Sequence, residues 1–408
     1  MVNIFEHKIG VAAEELSRYC PGGYHPIHLH DALDNGRYEV LHKLGFGAFA
    51  TVWLARDNHT NKNVAVKVVT ADKSSETNRE LGILQAVKDR GNPDHPGYKH
   101  VSHLLGSFHI QGPNGRHLCV VLDILGPSTS SVADRCTNYR LEAGRARSIS
   151  RQLLLAVDYL HGVNVAHGDI HMGNILFRLP DFEAASLETI IQHLGPPEVG
   201  KIERLDGKPL EPGIPEYLVE PVDFDREMYP RLGEINLVDF GESFFSDNPP
   251  TRISTPPSHH PPELVFQHTL SKAVDIWNLG STTYELVIGR TPFEADFDNT
   301  RLIPQFQKVV GGVPKQWILD ALASGVLKDQ PDWPIAEDFA PLEEEIRRSY
   351  SNGFQSKTLQ LGEAELEILG KYLRKLLVVC PNDRATTRQL LDDPWVVSQG
   401  ESNEGESV

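Results

Sequence analysis

His167-Gly168-Asp169-Ile170-His171-Met172-Gly173-Asn174-Ile175-Leu176 is the stretch that decides how the rest of the chain is read. It follows a helical run over 148–160 and ends in Ile175-Leu176-Phe177, which reads as a short strand. An Asp followed five residues later by an Asn, held in a tight loop, is the spacing a phosphoryl-transfer site uses. The carboxylate takes the proton of an incoming hydroxyl, and the amide oxygen holds a metal ion on the phosphates. Asp and Asn are also ordinary turn residues, so the string alone is compatible with a structural turn.

The flanking sequence removes that ambiguity. Residues 38–44 read as a strand, followed by Gly45-Phe46-Gly47-Ala48-Phe49-Ala50 and a second strand over 51–56. Gly45 and Gly47 lack side chains, so the backbone between these strands can close over phosphates. Ala50 stands where a third glycine is common. A third strand, 63–69, contains Val64-Ala65-Val66-Lys67. Lys67 is a charge in an apolar strand, and an unpaired buried ammonium is costly. Its natural partners are nucleotide phosphates and a carboxylate, which Glu80 supplies from a helix expected over 76–88 with Leu81, Leu84 and Lys88 on one side. Strands over 101–110 and 117–125 complete a sheet with one long helix.

After Gly126 the pattern turns helical, over 143–161, 271–288, 303–310, 363–377 and 387–391. Between them Ile235-Asn236-Leu237-Val238-Asp239-Phe240-Gly241 reads as an apolar strand ending in Asp-Phe-Gly. Asp239 is the second candidate metal ligand, Phe240 packs inward, and Gly241 permits the turn. The segment 180–232 carries Pro, Gly and Glu with weak periodicity outside 184–193, and reads as an insertion rather than a core element.

Taken in order, Gly45/Gly47, Lys67, Glu80, Asp169/Asn174 and Asp239 resemble the eukaryotic protein kinase family, over nearly the whole chain. The resemblance implies an α+β, bilobal fold. Residues 36–125 would form a sheet lobe with one helix, and 126–397, including the insertion, a larger helical lobe. A leader at 1–35 and a disordered acidic tail at 398–408 flank them. It implies ATP and Mg²⁺ as cofactors. Asp169 is then the catalytic base, with Lys67, Glu80 and His171 beside it in the catalytic set, and Asn174 and Asp239 hold the metal. Nucleotide contacts fall to Leu44, Gly45, Gly47, Val52, Ala65, Lys67, Leu122, Asp123, Leu125 and Leu176, with the hinge at Asp123-Ile124-Leu125. Pro262-Glu263 is similar to the end of an activation segment, Arg384 to its ion-pair partner, and Asp275-Ile276-Trp277 to the start of the helix that anchors the catalytic loop.

Within that family the chain resembles the SR-protein kinases of the CMGC group, as a divergent fungal-type member. Tyr19-Cys20-Pro21-Gly22-Gly23-Tyr24-His25, the glycine turn running into Thr51-Val52-Trp53-Leu54, and Asn114-Gly115-Arg116-His117-Leu118-Cys119 carry this likeness. It implies a serine/threonine protein kinase acting on a basic, Arg-Ser-rich protein such as a splicing factor. Three positions depart from the pattern. His171 stands where Ser/Thr kinases use a Lys, so no fixed charge is supplied near pH 7. Gly168 replaces the Arg that pairs an activation-loop phosphate. His259-His260 occupies a region that sets the preference for the residue after the acceptor. The loop by itself also resembles aminoglycoside and choline phosphotransferases, and His171 leaves a catalytically weak pseudokinase scaffold as a further alternative.

Composition fits this reading. A formal net charge of −17 disfavours a nucleic-acid backbone as direct partner and suits a basic protein. Cys20, Cys119, Cys136 and Cys380 form no CxxC pair and no metal-ligand spacing, and read as reduced residues of an intracellular protein. His7, His25, His28 and His30 lack a supporting Cys or carboxylate spacing for a metal. No basic-then-apolar start and no long apolar window point to secretion or a membrane, so a monomer in cytoplasm or nucleus is expected.

Overall fold

Alternation along the strand Lys62–Val69 sets the first layer: Val64, Val66 and Val68 face one way and Ala65 and Lys67 the other. The structure, a computed structural model, describes residues 7–8, 10–179, 181–294, 298–328, 342–351 and 361–397. The expected acidic tail at 398–408 lies outside them. The chain divides into two compact units. One holds Met1–Lys88, Ser102–Gly126 and Arg178–Leu232, and the other Asp89–Val101, Pro127–Phe177 and Gly233–Val408. The division differs from the expected one in assigning the insertion to the sheet unit and Asp89–Val101, expected within the sheet lobe, to the helical unit.

The sheet unit is built on six strands in the order Ala32–Leu33, Tyr38–Gly47, Ala50–Asp57, Lys62–Val69, Gly115–Leu122 and Leu104–Gly112. Every neighbouring pair is antiparallel. On one face Val40, Trp53, Ala55, Val64, Val66, Val68, Cys119 and Val121 form a core closed by Ile27, Leu33, Tyr38 and Val219. The leader and the insertion are therefore not surface decoration. Leu16, Tyr19 and Tyr24 of the leader pack with Ile202, Ile214 and Leu218 of the insertion in a second small core. His7–Lys8 pairs with Glu203–Arg204, and Val199–Lys201 with Tyr217–Val219. Burial there comes from partners far along the chain, which local periodicity cannot reveal.

The long helix runs Arg79–Arg90, starting three residues later than expected. Asn78 sets that start, because its side-chain oxygen accepts the Leu81 N–H at 2.9 Å. The buried stripe is Glu80, Ile83, Leu84 and Val87, while Lys88 is exposed. This spacing of i, i+3, i+4 and i+7 turns Glu80 inward.

In the helical unit, Glu142 caps the Ala143–Gly162 helix, its carboxylate accepting the N–H groups of Gly144 and Arg145 at 2.8 and 3.0 Å. Ala146, Ile149, Leu153, Ala156, Val157 and Leu160 make its buried stripe. The Ala273–Ile288 helix is buried nearly all round and ends at Gly289, φ +83°. Gly280 lets this helix approach its neighbour, since a Cβ there would lie 2.9 Å from Leu376 and Leu377. Trp277 stacks on Phe293 at 5.3 Å, and Phe306 meets both edge-on. Ile175–Arg178 pairs antiparallel with Ile235–Leu237. Helices at Lys315–Ala323 and Leu342–Ser351 were not among those expected. No helix among the described residues is long and apolar enough to cross a membrane.

Candidate active site

Cross-strand register assembles the sheet unit's share of the site. Gly45 lies opposite Val52, Val52 opposite Lys67, and Lys67 opposite Val120; Ala65 lies opposite Leu122. Directly opposed residues share a face, so Val52, Ala65, Lys67 and Leu122 stand on the side away from the core of Trp53 and Val66. Leu44 is the extra residue of a bulge between Lys43 and Gly45. A Cβ built on Gly45 or Gly47 would meet nothing within 4 Å, leaving open space above the turn. Lys67 Nζ donates to Glu80 Oε1 at 2.6 Å, with both side chains at least 85% buried. Asp123, just past the end of the Gly115–Leu122 strand, accepts the His103 N–H at 3.0 Å, and burial raises its carboxyl above the usual range. Leu125 opens the following short strand and is buried.

The helical unit's share is the loop at 167–176 and the turn after Leu237. Asp275, fully buried, accepts the backbone N–H groups of His167 and Gly168, both at 2.8 Å, and also contacts His161 Nε2 at 2.9 Å. The His167 ring is buried, contacts the Val238 carbonyl at 3.0 Å, and packs edge-on against Phe240 at 5.2 Å. Burial lowers its affinity for a proton. Gly168 has φ +81°, and a Cβ there would lie 2.8 Å from the Glu242 carbonyl. The Thr129 hydroxyl donates to the Met172 carbonyl, and the Ser243 hydroxyl to that of His167. The loop is thus tied down by side chains from three other segments.

Within it, Asn174 Nδ2 donates to both the Asp169 carbonyl (2.9 Å) and Asp169 Oδ2 (3.0 Å). Asp169 Oδ1 is buried with no hydrogen-bond partner among the described residues. His171 Nδ1 accepts the Gly173 N–H at 3.1 Å, which puts the proton of a neutral ring on Nε2, 3.6 Å from Asp169 Oδ2. Burial raises the Asp169 carboxyl, but the His171 imidazole, the Thr255 hydroxyl and His167 outweigh it and hold the group below its ordinary value. Asn174 and Asp239 lie at adjoining ends of paired strands. Ile175 faces Leu237, and the Val238 N–H donates to the Asn174 carbonyl at 3.0 Å. Asp239 is exposed with left-handed backbone, φ +64°. Leu176 sits opposite Asn236 and stays partly exposed, whereas Ile175 and Phe177 are fully buried.

Among the described residues no three His, Cys, Asp or Glu side chains cluster as a metal centre. An Asn and an Asp oxygen are nevertheless a fitting donor pair for Mg²⁺, which takes few protein ligands and completes its shell with water and phosphates. Downstream, Arg384 makes a bidentate pair with Glu263 at 2.6–2.7 Å, both side chains almost fully buried. His259 is buried 6.1 Å, ring to ring, from His171, and its carbonyl accepts from Asn278. Thr255 beside Asp169 was not singled out from the sequence, and nothing in its local Ser-Thr-Pro-Pro context marks it.

A protein kinase domain family model matches residues 38–188 and 227–396. A serine/threonine protein kinase of Aspergillus fumigatus is 28% identical over 404 residues, 97% of this chain and 93% of that protein. The SRSF protein kinase 3 of Homo sapiens is 39% identical over 171 residues, 41% of this chain and 30% of the relative. A solved crystal structure of a kinase domain is similar in fold, with a TM-score of 0.62 and 20% identity over 91% of this chain and 98% of that one.

Proposed function

The chain belongs to the protein kinase family, and from that premise we propose that it transfers the γ-phosphoryl group of Mg-ATP to Ser or Thr hydroxyls of a basic, Arg-Ser-rich protein. The observation that carries the reading is the Asp169 carboxylate. One of its oxygens is fixed by Asn174, and the other is buried with no hydrogen-bond partner among the described residues, within a loop braced by Asp275. A held-down carboxylate with a free oxygen is what an acceptor hydroxyl needs for its proton. Its neighbours hold its proton affinity below the ordinary value, so it is a weak base that only assists the departing proton, as orientation of the hydroxyl requires.

The remaining roles follow from residue chemistry. Lys67, paired with Glu80, presents its ammonium to the nucleotide phosphates, and Gly45 and Gly47 leave room for them. Val52, Ala65 and Leu122 offer the adenine an apolar face. Asn174 and Asp239 hold Mg²⁺, which when bound neutralises phosphate charge. His171 directs an N–H toward the acceptor region without a permanent charge. The relatives support a protein acceptor. The name SRSF protein kinase 3, together with the net charge of −17, supports a basic one.

The test is ³²P transfer from Mg-ATP to an Arg-Ser peptide, a neutral Ser peptide and small amino alcohols. Transfer to Ser of the Arg-Ser peptide is expected, lost in Asp169→Asn and Lys67→Met. Equal background in wild type and both variants would mean a scaffold instead, and transfer only to the amino alcohols would mean a small-molecule phosphotransferase.

A further inference from the structure

The glycine turn is gripped by the leader. Tyr24 Oη donates to the Gly47 carbonyl at 2.7 Å, and the Arg18 guanidinium donates to the carbonyl of Ala48, the next residue. Arg18 also lies over the Tyr24 ring at 5.2 Å, so the two donors brace each other. The grip is anchored behind the turn. Glu14, 2% exposed, is paired with Lys43, fully buried in the strand that carries Gly45, and accepts the Tyr19 hydroxyl. The insertion holds the same residue by its backbone, Val222 N–H donating to the Lys43 carbonyl at 2.9 Å. Further on, Gly22 and Gly23 accept the N–H groups of Asp72 and Ala71, which follow the strand bearing Lys67. The tip itself has little packing of its own: Phe46 and Phe49 are about half exposed, and the two glycines face open space. A turn so composed is free to move unless something outside holds it.

We propose that Arg18 and Tyr24 are positioning residues for the nucleotide. By holding two consecutive carbonyls of the turn, they fix its tip before ATP arrives and reduce the ordering cost of engaging the phosphates. Their observed contacts are with the turn's backbone carbonyls, through which they act, and the inference rests on the kinase reading above. The leader then belongs to the nucleotide site as much as the glycines do.

Isothermal titration of the full chain with Mg-ATP and with adenosine, alongside steady-state kinetics and thermal melts, tests this. Loss of one ordinary hydrogen bond corresponds to about 2- to 12-fold in affinity. Tyr24→Phe and Arg18→Met are each expected to raise Kd and KM for Mg-ATP within that range, and the double variant further. In each, kcat should change less than about twofold, and adenosine, which lacks phosphates, should bind as in wild type. Arg18→Lys keeps a donor and should recover part of the loss. Val11→Ala trims the leader's packing without touching the turn, and should lower Tm while leaving Mg-ATP affinity alone. A double variant that binds Mg-ATP like wild type overturns the proposal. So does one that loses Mg-ATP and adenosine equally with a lowered Tm, a purely structural effect. Wild type that binds no Mg-ATP overturns the kinase reading, and this proposal with it.

Discussion

Gly168 sits where the backbone leaves little choice of residue. Its φ of +81° costs any L side chain, and a Cβ would press on the Glu242 carbonyl at 2.8 Å. The missing Arg was visible in the sequence, whereas its physical cause was not, because a positive φ leaves no local signature beyond glycine itself. Gly168→Ala is expected to lower unfolding free energy by about 1–3 kcal/mol, read from urea curves, and Gly168→Arg by no less. At His171 the sequence suggested a lost charge, and the structure adds a tautomer fixed by the Gly173 N–H. A donor aimed beside Asp169 and removed in His171→Ala should lower kcat on the order of 10- to 100-fold, with KM for ATP nearly unchanged. A kcat equal to wild type would assign His171 to the turn alone. That Lys67 meets Glu80 and Asn174 meets Asp169 could be anticipated, the first from helical spacing after an apolar strand and the second from a short string with a distinctive residue order. Thr255 could not, since its position beside Asp169 is a product of tertiary folding.

Strands and the principal helices were legible because alternation and helical spacing persist over six or more residues. The leader and insertion were not. Leu16, Tyr19 and Tyr24 belong to no long regular element, and their burial depends on Ile202, Ile214 and Leu218. Lys43 was equally hidden, a lysine in an ordinary strand whose partner, Glu14, lies 29 residues earlier. Lys43→Met leaves Glu14 buried and unpaired and should cost about 3–5 kcal/mol. The Lys43→Met/Glu14→Gln pair should recover much of that, a coupling measurable in a double-mutant cycle. The leader also carries a pH dependence. Burial, with His117 and His28 nearby, lowers His25 to about 4. Its ring packs 4.9 Å from that of His117, which burial also lowers. The unfolded chain therefore takes up protons below pH 6.5 while the folded chain does not, so stability is full above about 6.5 and falls toward pH 4. His25 contributes about 2–3 kcal/mol to that fall, at about 1.4 kcal/mol per pH unit. Urea midpoints across pH 7 to 4.5 should decline less steeply in His25→Phe than in wild type.

Across the whole chain, 56 Asp and Glu against 39 Lys and Arg leave a net charge of −17. An excess of that size creates a field reaching beyond any one contact, and it attracts a cationic substrate from a distance. Solubility would be served equally well by the same charge, so the distinction must come from kinetics. Steering acts on encounter and is screened once the Debye length shrinks, from about 10 Å at 0.1 M salt to about 3 Å at 1 M. For an Arg-Ser peptide, kcat/KM is expected to fall about tenfold between 0.1 and 0.5 M KCl. A neutral Ser peptide should lose less than about twofold, and kcat at saturating basic peptide should hold nearly constant. Parallel losses for both peptides would show that salt acts on the enzyme itself and that the acidity serves solubility. Selective loss for the basic peptide would tie the net charge, the most global property of the sequence, to the choice of substrate.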